Sequence, residues 1–373
     1  MILVGNQRSY TIGKIIRGIL SATPLALLNS YNAAMTSVLA AELSERHFDI
    51  VQLEGIEMSP YLDVIEKARH RPKRIVLNWH NVESELTARH ALHGRTFLHR
   101  IYMRMATTQL RSIERELLHR CDLHLVTSQR ERDLLLRLNP GADVLVTENG
   151  VDMASFLDTK NLDHEPSEQR NRVLFVGSMD YSANIDAILN FSLTSWADIH
   201  RQFPALRLTV VGRNPPKQIR ELSRRPGIEI TGAVPDVRPY YDQAFAVVVP
   251  LRVGGGTRLK VIEALAARVP VLSTAVGVEG LRLEPGRHFR LAESPLAFYR
   301  EISNLSADHE SWRRMATEGW KLAQTYDWPQ VCSRLSDVYR DFLQSRPDLH
   351  KSGSGEGSSD QTLQLRRRHM SRG

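Results

Sequence analysis

Two cysteines, Cys121 and Cys332, are all that 373 residues carry. A disulfide framework and a thiolate zinc site are thereby excluded as organising devices; lone, distant thiols read as reduced. An export signal is lacking: Met1 to Gly13 passes from a few apolar residues into Asn6, Gln7, Arg8 and Ser9, with no charged head and apolar run. A membrane span is lacking too, because the apolar stretch 15–28 is broken by Arg17, Gly18, Ser21 and Pro24 and cannot cross about 30 Å of hydrocarbon. These absences lead to the expectation of a soluble, cytoplasmic chain. Charge of one sign is scarce: 49 basic against 42 acidic residues leave +7. That excess suits an anionic substrate or an acidic membrane face. Without aromatics interleaved among the arginines, it falls short of a nucleic-acid binder.

What is present suits two domains, with 42% apolar and 24% charged residues. Strand-length apolar runs at Phe48–Leu53, Arg74–Trp79, Leu123–Thr127 and Val144–Thr147 alternate with helical spacing, as where Leu98, Ile101, Met105 and Leu110 recur. Val173–Val176, Leu206–Val211, Ile228–Ile230, Phe245–Pro250 and Val269–Ser273 repeat the theme, each leading through Gly, Pro or Asp into a helical stretch. The alternation predicts an α/β fold with doubly wound parallel sheets. A polar segment, 158–172, parts the two blocks. The Gly- and Ser-rich tail 344–373 ends on a basic run and is expected to be disordered. The histidines between His70 and His124 read as solvated helix residues, since His90 and His93 have no companion at metal-ligand spacing.

One stretch carries most of the chemistry. The strand at 247–250 runs into Gly254, Gly255, Gly256 and Thr257, then Arg258, Leu259, Lys260 and a good helix former run through Glu263. Consecutive glycines let backbone N–H groups approach a ligand, Thr257 is a natural cap, and the positive end of the helix favours an anion. Arg258 and Lys260 add cations there for which the helix dipole gives no reason. Such a loop is fitted to a diphosphate. Helical spacing puts Leu259, Ile262, Leu265 and Ala266 on the core side, and Lys260 with Glu263 on another face. Glu263 then either accepts from sugar hydroxyls or pairs with Lys260 one turn away. Gly177 and Ser178 follow another strand, at the edge where open parallel sheets bind ligands. Ala233 and Val234 offer backbone groups of the kind that recognise a flat base.

Together, FVGSMDYSANIDAI, the VVG of Val210–Gly212, TGAVPDVRPYY, PLRVGGGTRLKVIEALAARVPVLSTAVGVEGL and YDWPQ resemble the donor-binding domain of retaining family-four glycosyltransferases of GT-B fold. NWHNVESE at Asn78 to Glu85 and ENGVD at Glu148 to Asp152 extend the resemblance into the first block, within the exopolysaccharide and lipid-linked glycan type. It implies two Rossmann-like domains facing a cleft: an acceptor-side domain at 1–157, a linker at 158–172 and a donor domain with a carboxyl-terminal crossover helix at 173–343. It implies that Glu263 contacts the donor ribose, that Gly254–Thr257 with Arg258 and Lys260 lie at the diphosphate and sugar, that Ala233 and Val234 line the base pocket, and that His80 faces the donor sugar. The expected reaction is transfer from a nucleotide-diphospho-sugar, a co-substrate rather than a cofactor, to a glycan or lipid-linked acceptor with retention and no metal. Peripheral contact with an acidic membrane accompanies that expectation. The sequence departs from the family where a second glutamate would stand at Gly255, and where Ser178, Met179 and Asp180 replace an Arg…Lys pair, which shifts the diphosphate charge onto Arg258 and Lys260. The first block also reads as short of its opening strand and glycine loop. The alternative is therefore an inactive, truncated sugar-nucleotide-binding or assembly subunit.

Overall fold

The computed structural model describes residues 27, 29–92, 97–157, 170–254 and 258–344. Gly255, Gly256 and Thr257, most of the polar segment, the tail and the first 26 residues lie outside the described residues. The chain divides after Ser336; among the described residues beyond it, 337–344, Arg340 pairs with Asp337 one turn away at 2.7 Å.

Two parallel sheets make up the first unit. Strands β1 (Ile50–Glu54), β2 (Arg74–Trp79), β3 (Leu123–Val126) and β4 (Val144–Val146) form the first in sequence order, all four within two residues of the expected runs. Helices Glu83–Leu92, Phe97–Arg120 and Gln129–Leu138 connect them. In β2 the apolar side chains are fully covered, as expected of a strand between two helical layers. His124 corrects one expectation: it is buried on β3, where its Nδ1 accepts from Trp79 Nε1 at 3.2 Å.

The second sheet has six strands: β5 (Arg172–Val176), β6 (Arg207–Val211), β7 (Ile228–Gly232), β8 (Ala244–Val249), β9 (Val271–Ser273) and β10 (Arg290–Leu291). Their order is β10-β9-β8-β5-β6-β7. The chain thus winds outward from β5 through β7 and restarts at β8 on the other side of β5. The switch point lies between β5 and β8, where doubly wound sheets open a crevice at their carboxyl ends. β5 begins at Arg172, inside the stretch read as linker, and the two residues of β10 are too few to show in a pattern.

Two motifs noticed separately in the sequence meet in space. Val151 donates N–H to Tyr326 O at 2.8 Å and accepts from Trp328 N at 3.0 Å, while Asp327 accepts from Met153 N at 3.1 Å. A side chain on Gly150 would lie 2.6 Å from the Trp328 ring, so a glycine is required there. ENGVD and YDWPQ thus seat the start of the last helix, Trp328–Gln344, against the end of the first block.

Candidate functional site

β8 is buried along its whole length, and the chain leaves it toward Gly254. Gly254 holds φ +148°, and a Cβ there would come within 2.9 Å of Arg258 Nη2 and 3.3 Å of Tyr181 Oη. The backbone angle therefore favours glycine, and a larger residue would also displace the ends of these two side chains. The helix behind it runs Leu259–Ala266 without a side-chain cap, so Arg258 stands just before the helix, not within its first turn. Leu259, expected in the core, is 44% exposed, whereas Val261 is fully buried beside Ile262 and Leu265. The other three expected core residues, Ile262, Leu265 and Ala266, are buried, and at the start of the helix Arg258 and Val261 are covered in place of Leu259. Arg258 as a whole residue is 5% exposed, with Nε and Nη2 each 3.4 Å from Val276 O. Burial holds it below its ordinary pKa and neighbouring Arg89 adds to this, against the pull of Tyr181 and Glu279.

Lys260 does not pair with Glu263 as an ion pair one turn away. Its Nζ donates to Asn184 Oδ1 at 2.8 Å, lies 4.4 Å over the Phe175 ring, and sits beneath Gly177, where a Cβ would meet it at 2.8 Å. Burial, and then the charge of Arg258, bring the ammonium down to about 7. Asn184 also donates to Ser178 O at 2.8 Å, so Lys260 and Asn184 together support the Gly177–Ser178 turn. A side chain at Gly212 would collide with Gly177 O at 1.9 Å, which explains the second glycine.

Glu263 Oε2 accepts from the hydroxyl of Tyr241 at 2.8 Å. Tyr241 is wholly buried, and that burial, reinforced by Glu263, raises its hydroxyl pKa well above the ordinary value. It remains a donor that fixes the carboxylate. Sequence reasoning quoted the tyrosines of RPYY without seeing this role; a polar-tipped aromatic beside a candidate carboxylate was the available signal. Ser178 joins a second cluster: its hydroxyl donates to Asp180 Oδ2 at 2.9 Å and accepts from Arg213 Nε at 3.1 Å, while Asn214 Nδ2 reaches Asp180 Oδ1 at 3.0 Å. Bonds from Asn214 and Ser178, with Arg213 behind them, hold the Asp180 carboxyl low. Arg213, at the carboxyl end of β6, is a cation that sequence reasoning passed over. Ala233 is exposed and Val234 half-buried, just after Gly232 at φ +75°, where a Cβ would meet nothing within 4 Å.

The first lobe presents His80 at the carboxyl end of β2. Its Nε2 lies 3.1 Å from Glu54 Oε2, at the end of β1, and the same oxygen accepts from Asn78 Nδ2 at 2.8 Å. Burial lifts the Glu54 carboxyl, but hydrogen bonds from His80, Gln52 and Asn78 outweigh it and leave it below its ordinary range. Close by, burial and then the charge of Glu57 push Glu83 up to about 7. Glu114, fully buried, accepts from Ser84 N at 2.8 Å at the start of helix Glu83–Leu92.

Across the crevice, Arg89 of that helix donates Nη1 to Gly254 O at 2.7 Å. Asn81, Glu85, Arg89, Arg130 and Gly254 line a small crevice at this junction. The structure thus brings Gly177, Ser178 and Lys260 into one cluster and Gly254 with Arg258 into another, joined by the charge of Arg258 on Lys260. Glu263 lies on the same short helix, and His80 stands on the opposite lobe. Among the described residues, no group of three His, Cys, Asp or Glu is placed to hold a metal ion, and no helix is long and apolar enough to cross a membrane.

Residues 5–155 match the family model described as Glycosyltransferase Family 4, and residues 170–308 the model described as Glycosyl transferases group 1. Over 228 residues the chain is 25% identical to a phosphatidyl-myo-inositol mannosyltransferase of Mycolicibacterium smegmatis, covering 60% of this chain and 58% of that one. Over 172 residues it is 23% identical to an uncharacterised 44.6 kDa protein in the cps region of Klebsiella pneumoniae, 44% of either chain. The chain spans about half the length of these curated relatives. A sucrose-phosphate synthase from Thermosynechococcus elongatus superposes with TM-score 0.65 at 18% identity, over 88% of this chain and 83% of that chain. Anabaena HepE, solved in complex with UDP and glucose, gives 0.60 at 16% identity, over 90% and 84%. These superpositions establish the GT-B fold.

Proposed function

We propose that this GT-B chain is a glycosyltransferase of the family-four type, moving a sugar from a nucleotide-diphospho-sugar to a glycan or lipid-linked acceptor in polysaccharide biosynthesis, with retention and without a metal. One observation carries this reading: a buried guanidinium, Arg258, packed against a glycine at φ +148° at the switch point of the second sheet. A buried cation beside bare backbone is the arrangement that stabilises a departing diphosphate, and one such donor lowers the barrier by about 3 kcal/mol. As the glycosyl–oxygen bond breaks, charge grows on the leaving phosphate and the sugar becomes oxocarbenium-like. Arg258 answers the first. The leaving phosphate takes the acceptor proton, so no protein nucleophile is required. Glu263, held by Tyr241, faces the ribose, and His80 faces the sugar from the other lobe. The expected cation Lys260 acts from beneath the Gly177 turn, and Arg213 stands at the edge where the absent Arg…Lys pair would have been. The relatives' printed names, with a mannosyltransferase and a structure holding UDP and glucose among them, support a sugar nucleotide as donor.

Contact with an acidic membrane would use helix Phe97–Arg120, where Phe97, Ile101 and Tyr102 are exposed beside Arg100 and Arg104. Co-sedimentation with anionic and neutral vesicles tests it. Calorimetric titration with UDP and GDP tests the donor site: one of them binds, and Glu263→Ala weakens it. Absence of binding by either nucleotide overturns the assignment. The commitment of Lys260 to Asn184 favours, as second reading, a catalytically silent sugar-nucleotide-binding subunit; release of labelled sugar from the donor eliminates it.

A further inference from the structure

A ring of four charges joins the two lobes beside Gly254. Glu85 Oε1 accepts from Arg89 Nε at 3.2 Å and from Arg130 Nη2 at 2.7 Å. Glu279, on the second lobe, accepts from Arg89 Nη1 and Nη2 at 3.2 Å each and from Arg130 Nε at 2.8 Å. All four side chains are about three-quarters buried, between 24% and 29% exposed. Arg89 further donates to Gly254 O at 2.7 Å. Beside the ring, a side chain at Gly280 would come within 2.8 Å of Ser128 Cβ, so the lobes are in contact there. The ring reaches Arg258 from two sides. Gly254 lies against its Nη2, and Glu279 follows directly on the single turn Val276–Val278, whose first carbonyl faces the same guanidinium.

We propose that Arg89 is a positioning residue: it ties Gly254 and, through Glu279, the turn carrying Val276 to the first lobe, so that closing the crevice and fixing Arg258 are one event. A guanidinium suits this role because its fork serves a carboxylate and a carbonyl together, which an ammonium cannot. The proposal rests on the donor reading above, since it concerns how Arg258 is presented to a diphosphate.

Hydrogen–deuterium exchange on the full chain, with nucleotide titration and donor turnover, tests it in Arg89→Ala, Arg89→Lys and Glu279→Gln. Exchange around 250–254 and 274–281 rises about ten-fold or more in Arg89→Ala while that of β5 to β7 is unchanged. Turnover falls at least about twenty-fold while the affinity for UDP or GDP changes less than about three-fold, the split expected when an interaction matters mainly at the transition state. Arg89→Lys recovers part of both, and Glu279→Gln reproduces the exchange change. Unchanged exchange in both segments overturns the tie; nucleotide affinity falling in step with turnover makes Arg89 a ligand contact instead. Should Arg89→Ala not fold, the lysine and glutamine variants carry the same readings. If the unmutated chain binds neither nucleotide, the donor reading falls, while exchange still decides whether Arg89 joins the lobes.

Discussion

The two faces of the crevice are built by different means. On the second lobe the three charged candidate groups are fixed beneath the surface: Arg258, itself buried, against Val276 O, Lys260 on Asn184 and the Phe175 ring, Glu263 on a wholly buried tyrosine. On the first lobe, His80 and Glu54 hold each other in the open, 59% and 52% exposed. Groups fixed in a low-dielectric setting cost little reorganisation when charge develops, whereas exposed groups adapt to what arrives. One face is thus held rigid and the other left adaptable, as the proposed donor and acceptor sides would require.

Arg258→Ala breaks the second face most directly. Donor turnover should fall by two orders of magnitude or more, about 3 kcal/mol, and Arg258→Lys should recover little because the ammonium cannot span the guanidinium's contacts. Steady-state kinetics with labelled donor checks this. If the alanine variant turns over within three-fold of the parent, the second lobe is not the face where charge is answered.

The faces also respond to pH in opposite senses. Glu83, raised to about 7 from an ordinary 4.5, keeps a proton in the fold that the unfolded chain has lost. Its contribution is complete below pH 4.5, declines as pH rises to 7, and is gone above. Lys260, lowered to about 7 from 10.5, is neutral in the fold while the unfolded chain stays protonated. Its contribution therefore improves as pH climbs from 7 to 10.5. Denaturant melts across pH 4 to 10 separate the two: Glu83→Gln removes the acid arm and gains on the order of 2 kcal/mol above pH 7, and Lys260→Met removes the alkaline arm. A slope left intact by its own substitution contradicts the assignment.

Tyr241→Phe weakens the second face more gently. The hydroxyl's bond to Glu263 contributes about 1 kcal/mol, so stability drops by about that much. Nucleotide affinity falls several-fold as the carboxylate loses its orientation. Melts and titration of the same preparation distinguish this from simple destabilisation, which lowers stability and leaves affinity intact.

Much of the second lobe was legible in the chain. β5, β6, β8 and β9 are mostly apolar because both their faces are covered, and β5 and β6 run directly into Gly177 and Gly212, where the backbones approach closely. The glycine at 254 and the cation at 258 could be read from type and spacing alone. Where Lys260 points could not, because its partner Asn184 is 76 residues away and a helical face says nothing of what lies above it. Leu259 was misplaced for a related reason: amphipathic counting assumes that loop residues are exposed, and Arg258 is not. In the first lobe the strands were legible and the charge ring was not, since Glu279 is 190 residues from Arg89 and its meaning is purely spatial.

The smallest effect expected is at His80, and it bears most directly on the difference between the faces. Its imidazole packs on nothing but Glu54 among the contacts described, and more than half of it meets solvent. An exposed pair of this kind contributes less than about 1 kcal/mol. His80→Ala should therefore leave the melting profile within about 0.5 kcal/mol of the parent, and UDP or GDP affinity within about two-fold, since the nucleotide is assigned to the other lobe. Turnover alone should fall, because the proposed function sets His80 against the sugar. A marked loss of nucleotide affinity would place the base or diphosphate on the first lobe and reverse the assignment of the two faces.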